Sequence, residues 1–232
     1  MERNQGCLDC PARGKHLFCG MEDSALDKFD PLGTIVQFGS GGVIFREGDT
    51  CGSVHVLCSG RVKLSATSRE GRTLILKIAR AGEVLGLSAA LANQPYEVTA
   101  ETVEPCRLKT IRRQALLDFL DRNPDASMRA ARAVAQEYKA AFSEVRRLAL
   151  PATASGRVAG LLLEWSREQA PGHNQQGRCM MTLTHEEIAS MTATTRETVT
   201  RVLGQLRRDQ LIQIRGAALT VLQPQALERL AV

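Results

Sequence analysis

Between Pro124 and Ala149 the apolar residues Met128, Ala131, Ala135, Tyr138, Phe142, Val145 and Ala149 recur at alternating steps of three and four. That spacing is the mark of one long helix carrying a single narrow apolar seam. A small domain cannot cover so long a stripe from one side, whereas the same helix of a second copy can. The seven residues are therefore expected to form a dimer interface. The alternative is a helix packed only on its own domain.

The seam divides the chain into regions of different character. Before it, from Gly33 to about Thr110, short apolar runs (Val43-Ile44-Phe45, Val54 to Leu57, Arg61 to Ala66, Leu74 to Ile78) are broken by Gly39, Gly41, Gly42, Gly48, Gly60, Gly71 and Gly82. Such regular punctuation predicts an all-β roll or barrel. After it, Leu150 to Gly156 reads as a hinge, because Pro151 removes a helix donor and small residues follow. A helix from Arg157 to about Arg167 is expected to bury Val158, Leu161, Leu162 and Trp165. A polar loop with Pro171, Gly172 and Gly177 comes next. The expected organisation is an N-terminal cysteine segment (1–30), a sensor roll (31–122), a dimerisation helix (123–150) and a DNA-binding domain (151–232).

Composition sets limits on this reading. The 232 residues suffice for two modest domains, and 44% hydrophobic with 24% charged residues describes a folded chain rather than a disordered one. A formal net charge of +5 favours an acidic partner only weakly. No 18-residue apolar run occurs, so no membrane helix is expected. The polar stretch Met1 to Gly20 is unlike a secretory signal, which gives a cytoplasmic expectation. Seven cysteines, an odd number in a reducing compartment, point away from a disulfide framework. Metal binding, redox chemistry and plain packing remain.

Leu183 to Leu206 carries the strongest chemical signal. Thr184 with Glu187 fits a capping box, starting a short helix with Ile188 and Met191 inward. The arrangement recurs at Thr194 and Glu197 after a short turn, with Ala189 and Ala193 small where the helices meet. Val199, Val202 and Leu206 give the second helix its buried face. Two capped helices joined by a tight turn make a helix-turn-helix. The outer face carries Thr195, Arg196, Glu197, Thr198, Thr200 and Arg201. Arginine can bond both guanine acceptors in the major groove, Glu197 can accept from cytosine, and Thr195, Thr198 and Thr200 suit phosphates, with Thr184 a further expected DNA contact. From Arg196 to Arg215 five arginines face two acids. The run from Leu211 through Gly216 to Leu222 reads as a hairpin wing, with Arg215 at its tip.

The stretch Thr195-Arg196-Glu197-Thr198-Val199-Thr200-Arg201-Val202-Leu203 resembles the recognition helix of the Crp/Fnr family of transcription regulators. Phe45-Arg46-Glu47-Gly48-Asp49, Ser59-Gly60-Arg61-Val62-Lys63-Leu64 and Gly82-Glu83-Val84-Leu85-Gly86 resemble its roll motifs, and Gly156-Arg157-Val158-Ala159 its post-hinge helix. The resemblance spans nearly the whole chain. It implies an α+β fold: an antiparallel β-roll of the cyclic-nucleotide-binding jelly-roll type, a long dimerisation helix and a C-terminal winged helix-turn-helix. It also implies a homodimer on a palindromic double-stranded operator, with RNA polymerase as a further partner and no membrane. Arg196, Glu197 and Arg201 inherit base-reading roles, and Arg196 implies a TGTGA-like half-site. Ala193 stands where the family often has a glycine in the turn.

Two signals compete. Family members that bind cyclic AMP carry an arginine followed by a serine or threonine after the Gly-Glu-x-x-Gly turn. Tyr96 and Glu97 stand there instead, and a carboxylate repels a phosphate, so cyclic AMP is not expected. Cys7, Cys10 and Cys19 with the distant Cys106 resemble the oxygen-sensing branch, which implies a [4Fe–4S] cluster on four thiolates. Zinc and a thiol–disulfide switch stand as alternatives, with haem a third. Cys51, Cys58 and Cys179 read as structural. His16, near the cysteines, is a possible substitute ligand and otherwise a solvent-facing loop residue. No enzyme is expected, since no phosphate-cradling glycine-lysine loop, no GxSxG elbow and no HExxH motif is present. An arginine-bearing capped helix likewise disfavours a passive scaffold.

Overall fold

The glycine-punctuated region does fold as a β-roll in a computed structural model of the chain, which describes residues 6–10, 13–14, 17–169, 178–180, 183–216 and 218–231. Two units are separated, Met1–Gly71 with Leu76–Lys139, and Arg72–Ile75 with Ala140–Val232. The first begins with 3-10 turns at Cys7–Asp9 and Leu17–Gly20, then α1 (Asp23–Phe29). The roll strands are β1 (Gly33–Phe38), β2 (Val43–Phe45), β3 (Ser53–Ser59), β4 (Arg61–Thr67), β5 (Thr73–Arg80), β6 (Val84–Leu85), β7 (Thr99–Thr102) and β8 (Cys106–Arg112). Helix α2 (Leu87–Ala92) lies between β6 and β7, and α3 (Arg113–Arg122) follows β8.

Two antiparallel sheets result, ordered β1-β8-β3-β6 and β2-β7-β4-β5. β8 is central to the first: Lys109 lies opposite Ile35 on one side and Val56 on the other. Register slips between Leu57 and Ser59, so Cys58 sits in a bulge. Because side chains alternate along a strand, Cys106, Leu108 and Thr110 share one face of this sheet, and Lys109 and Ile111 the other. The first face is the roll interior, where the His55 ring lies 3.0 Å from the Thr110 hydroxyl and stacks on Phe45, which stacks on Tyr96. The second face is covered by the N-terminal segment, α1 and α3, through Phe18 on Phe29 and Phe29 on Phe119.

Gly60 shows why one breaker has to be glycine. Its φ is +90°, and an added Cβ would stand 2.5 Å from the Cys106 sulfur. The β3–β4 turn therefore closes directly over Cys106, which is buried.

The long helix, α4 (Pro124–Ala149), has the expected limits. Ala126 and Ala130 are buried, while the expected seam faces outward: Met128 is 54% exposed, Tyr138 66%, Phe142 55% and Val145 62%, and Ala131, Ala135 and Ala149 are exposed too. Pro151 ends the helix as expected, but the hinge is shorter than it reads in sequence. α5 (Ala154–Gln169) already includes Ser155 and Gly156, because the Thr153 hydroxyl accepts from the Gly156 amide at 3.1 Å and restarts the helix.

The second unit continues with β9 (Arg178–Met180), α6 (His185–Met191), α7 (Arg196–Arg208), β10 (Ile212–Arg215), β11 (Ala218–Val221) and α8 (Pro224–Leu230). Its sheet runs β10-β11-β9. β9 lies just beyond the expected polar loop and was not anticipated; it becomes a strand by pairing with Thr220, Leu219 and Ala218. Loop residues 170–177 lie outside the described residues. Among the described residues no helix is long and apolar enough to cross a membrane.

Candidate nucleic-acid interface and thiol corner

α6 starts as its sequence dictates. The Thr184 hydroxyl accepts from the Glu187 amide at 3.2 Å, and the Glu187 carboxylate accepts from the Thr184 amide at 2.8 Å, the reciprocal capping box. Ile188, Ala189 and Met191 are buried. The second cap falls one residue later than the spacing suggests: Thr195, not Thr194, accepts from the Thr198 amide at 3.2 Å. The reason is Ala193, which has φ +47° and is exposed. It makes the turn in the left-handed region rather than lying between the helices, at some strain for a residue with a Cβ. Ala189 alone provides the expected close approach.

Two arginines hold the turn from behind. Arg157 donates to the Thr192 carbonyl at 2.8 Å, and Arg147 to the Met191 carbonyl at 2.9 Å. Both cations meet the negative end of α6, where helix dipole and unpaired carbonyls favour them. Arg147 is itself buried and ion-paired with Glu144.

Val199, Val202, Leu203 and Leu206 bury the inner face of α7, and Thr195, Arg196, Glu197, Thr200 and Arg201 are exposed. These exposed side chains fall into two groups. Among the described residues no hydrogen bond or ion pair engages the side chains of Arg196, Glu197, Arg201 or, at the wing tip, Arg215. The threonines are braces. Thr200 donates to the Arg196 carbonyl at 3.0 Å and lies 2.8 Å from the His185 ring. Thr195 donates to the Thr198 hydroxyl at 3.0 Å, which leaves Thr198 a proton to give. Thr184 is taken up by its capping box. His185, unremarked in sequence, joins the site because the first turn of α6 abuts α7; nothing in its sequence context marks it.

In the roll, the position where family members hold a phosphate is built differently. Tyr96 is buried, stacked 3.9 Å from Phe45 between ring centroids, with its hydroxyl donating to the Ser53 carbonyl at 2.5 Å. Gly86 gives it room, since a Cβ there would stand 2.6 Å from the Tyr96 ring. Glu97 is exposed. Burial with no compensating charge pushes the neighbouring His55 down to about 4.

The cysteines are arranged otherwise than the resemblance implies. Cys7 and Cys19 pack at the edge of the core. Burial, then a hydrogen bond to the Asp30 carboxylate, pushes the Cys7 thiol up to about 12. Burial, then the neighbouring Cys10 and Cys58 thiols, raises Cys19 to about 11. Burial and Cys10 raise Cys58 as well. Cys19 and Cys58 are thus both neighbours of Cys10. Cys106 lies on the interior face of β8, where its Sγ donates to the Arg61 and Glu104 carbonyls at 3.3 and 3.1 Å, while the N-terminal segment covers the opposite face. Cys106 and the N-terminal cysteines, which the resemblance groups together, thus lie on opposite faces of one sheet. Cys51 is buried beneath Gly86, as a structural cysteine should be. His16 and the Cys179 side chain lie outside the described residues. Among the described residues no three His, Cys, Asp or Glu side chains already converge on one metal-sized point.

A roll, a long helix and a winged helix-turn-helix with free arginines define a DNA-binding regulator of transcription. Residues 35–123 match the cyclic nucleotide-binding domain and residues 156–230 the Crp-like helix-turn-helix domain. The transcriptional regulator SdrP of Thermus thermophilus is 30% identical over 200 residues, covering 84% of this chain and 93% of that protein. The CRP-like cAMP-activated global transcriptional regulator of Mycobacterium tuberculosis is 26% identical over 93% of this chain and 96% of its own. FixK2 from Bradyrhizobium japonicum has the same fold, with a TM-score of 0.75 at 22% identity over 86% of this chain and 98% of its own. The chain belongs to the Crp/Fnr family of transcription regulators, whose members are not enzymes.

Proposed function

We propose that this regulator reads a two-fold symmetric operator as a homodimer, with α7 in the major groove, and answers a redox or oxygen signal rather than cyclic AMP. The observation that carries the DNA reading is the pairing of a braced helix with free base-reading groups. Arg196, Glu197 and Arg201 stand unengaged on α7, while Thr195, Thr200 and His185 fix its start. Arg215 on the wing and Thr198 are assigned to phosphates. Thr184 acts through its cap.

The exposed stripe of Met128, Ala131, Ala135, Tyr138, Phe142, Val145 and Ala149 is assigned to the dimer contact, which sets two recognition helices on successive half-sites. RNA polymerase is the partner expected of an activator bound beside a promoter.

The decisive measurement compares wild type with Arg196→Ala on operator variants recovered by random-oligonucleotide selection. The substitution is expected to cost roughly 1–3 kcal/mol and to relax preference at one base pair per half-site. Equal loss on every sequence would reduce Arg196 to a backbone contact. A monomer that selects no palindrome would end the DNA reading altogether.

For the signal, the stack of Tyr96 on Phe45 inside the roll and the carboxylate of Glu97 both argue against an anionic nucleotide. The N-terminal thiols are a soft donor set suited to an iron–sulfur cluster. Such a group, when bound, would supply one-electron and oxygen-sensitive chemistry. Cys7, Cys10 and Cys19 would hold it, and Cys106 does not fit. The chain has a direct path from these thiols to the dimer helix. Arg129 of α4 donates to the Leu17 carbonyl at 3.4 Å, and Gly20 leaves room for the same guanidinium. Movement of the Cys19 turn therefore bears on α4 one residue from Met128. A thiol–disulfide switch of the same cysteines is the competing reading.

A further inference from the structure

We propose that Cys58 supplies the fourth thiolate of a metal site with Cys7, Cys10 and Cys19, the ligand class being a thiophilic centre: an iron–sulfur cluster or zinc(II). This rests on the reading of the N-terminal thiols as metal ligands and names the residue that completes them.

The argument is one of sheet faces. In β8, Cys106 and Lys109 are three residues apart and must point to opposite sides. Lys109 points to the side covered by the N-terminal segment: its ammonium donates to the Asp30 carbonyl at 2.7 Å and pairs with the Asp30 carboxylate. Asp30 in turn lies against the start of the N-terminal segment: a Cβ at Gly6, next to Cys7, would stand 2.8 Å from its carboxylate. On the neighbouring strand the interior residues are His55 and Leu57, so Cys58 belongs to the outer side, and the bulge there frees it from regular pairing. Lys109 lies opposite Val56 of β3, two residues from Cys58 and on the same outer face. Lys109 thus stands between the two ends of the arrangement, bonded to Asp30 beside the N-terminal segment and next to Cys58 on the outer face of the sheet.

Three features suit a bound metal. Four thiolates carry a formal charge of −4, and Lys109, 4% exposed, places a buried cation beside them. Cys58 is half-buried on β3, so water reaches a centre held there only in part, which bears on its potential. The turns that carry Cys10 and Cys19 are tied together (Gly14 amide to Cys19 carbonyl, Arg13 amide to Cys10 carbonyl), on the side of the sheet to which Cys58 belongs. Cys106 has none of these. It is sealed beneath Gly60, and reaching the outer face would require passing through its own sheet.

The test uses full-length protein, reconstituted anaerobically in one arm with ferrous iron and sulfide and in the other with zinc(II). Metal and acid-labile sulfide are counted and absorbance spectra recorded for wild type, Cys58→Ala, Cys58→Ser and Cys106→Ala. Circular dichroism checks that each variant is folded. Wild type and Cys106→Ala are expected to bind one centre per chain, and both Cys58 variants to lose at least tenfold in retained metal. The arm that yields stoichiometric loading identifies the centre. Full loading of a folded Cys58 variant, or loss confined to Cys106→Ala, would overturn Cys58 as ligand while leaving the N-terminal thiol reading in place. A wild type that takes neither iron–sulfur nor zinc would overturn both, without touching the operator measurement.

Discussion

The helix-turn-helix and the thiol corner are built by opposite means. In the first, the contacts that start its helices span a few residues: Thr184 with Glu187, Thr195 with Thr198, Thr200 with Arg196. In the second, residues 7, 30, 58 and 109 meet only because β1, β8 and β3 pair in one register and a bulge lies at Cys58. Locally capped elements announce themselves in sequence. A corner assembled across a sheet does not, because a one-residue change of register moves a side chain to the other face.

That contrast has a boundary, and Arg147 marks it. The DNA-reading turn is local in its caps but not in its support, since this cation reaches it from α4. Replacing Arg147 with Met leaves a mostly buried Glu144 carboxylate without its partner and the Met191 carbonyl without its donor. The expected cost is about 3–5 kcal/mol, seen in urea unfolding followed by Trp165, the chain's single tryptophan, which lies in α5. A loss below about 1 kcal/mol would mean that the helix pair stands on its local caps alone.

The roll interior offers the matching test for long-range assembly. His55 is buried against Phe45 and takes a proton only near pH 4 when folded, whereas the unfolded chain takes it near 6.5. The unfolded state therefore binds more protons between these values, and stability falls as pH drops through that window. Full stability holds above pH 6.5, and the loss reaches at most about 3 kcal/mol by pH 4. His55→Gln should flatten this part of the stability–pH curve. An unchanged slope would show that other groups, not the buried imidazole, set the acid sensitivity of the roll.

The division between local and long-range explains which readings succeeded. β2 to β5 were legible because alternating apolar runs end at glycines, and α4 because its seam keeps one period from Met128 to Ala149. The outer face of α7 followed from Val199, Val202 and Leu206 alone. β9 was invisible, since three residues acquire strand geometry only by pairing with β11. Ala193 misled because smallness suggested packing, whereas its backbone makes the turn; that displacement moved the cap from Thr194 to Thr195. Cys106 entered by resemblance, and which face of β8 it takes is set by strand pairing that its own sequence context does not show. Arg147 and His185 carried no local signal, because what they touch lies on other helices.

The smallest expected effect probes the local end of the comparison most cleanly. Thr184→Ala removes the hydroxyl that accepts from the Glu187 amide, and the typical loss for such a cap is about 1 kcal/mol. Because α6 is short and its inner face is anchored by Ile188 and Met191, the loss should appear as fraying of its first turn. Amide exchange at Glu186 and Glu187 should quicken, while Val199 and Val202 on α7 stay protected. His185 lies in that first turn and contacts Thr200, so operator affinity should weaken slightly, with no change in base preference. If exchange instead quickens through both helices, the capping box holds the whole pair, and the local signal that made this element legible is also what keeps it folded.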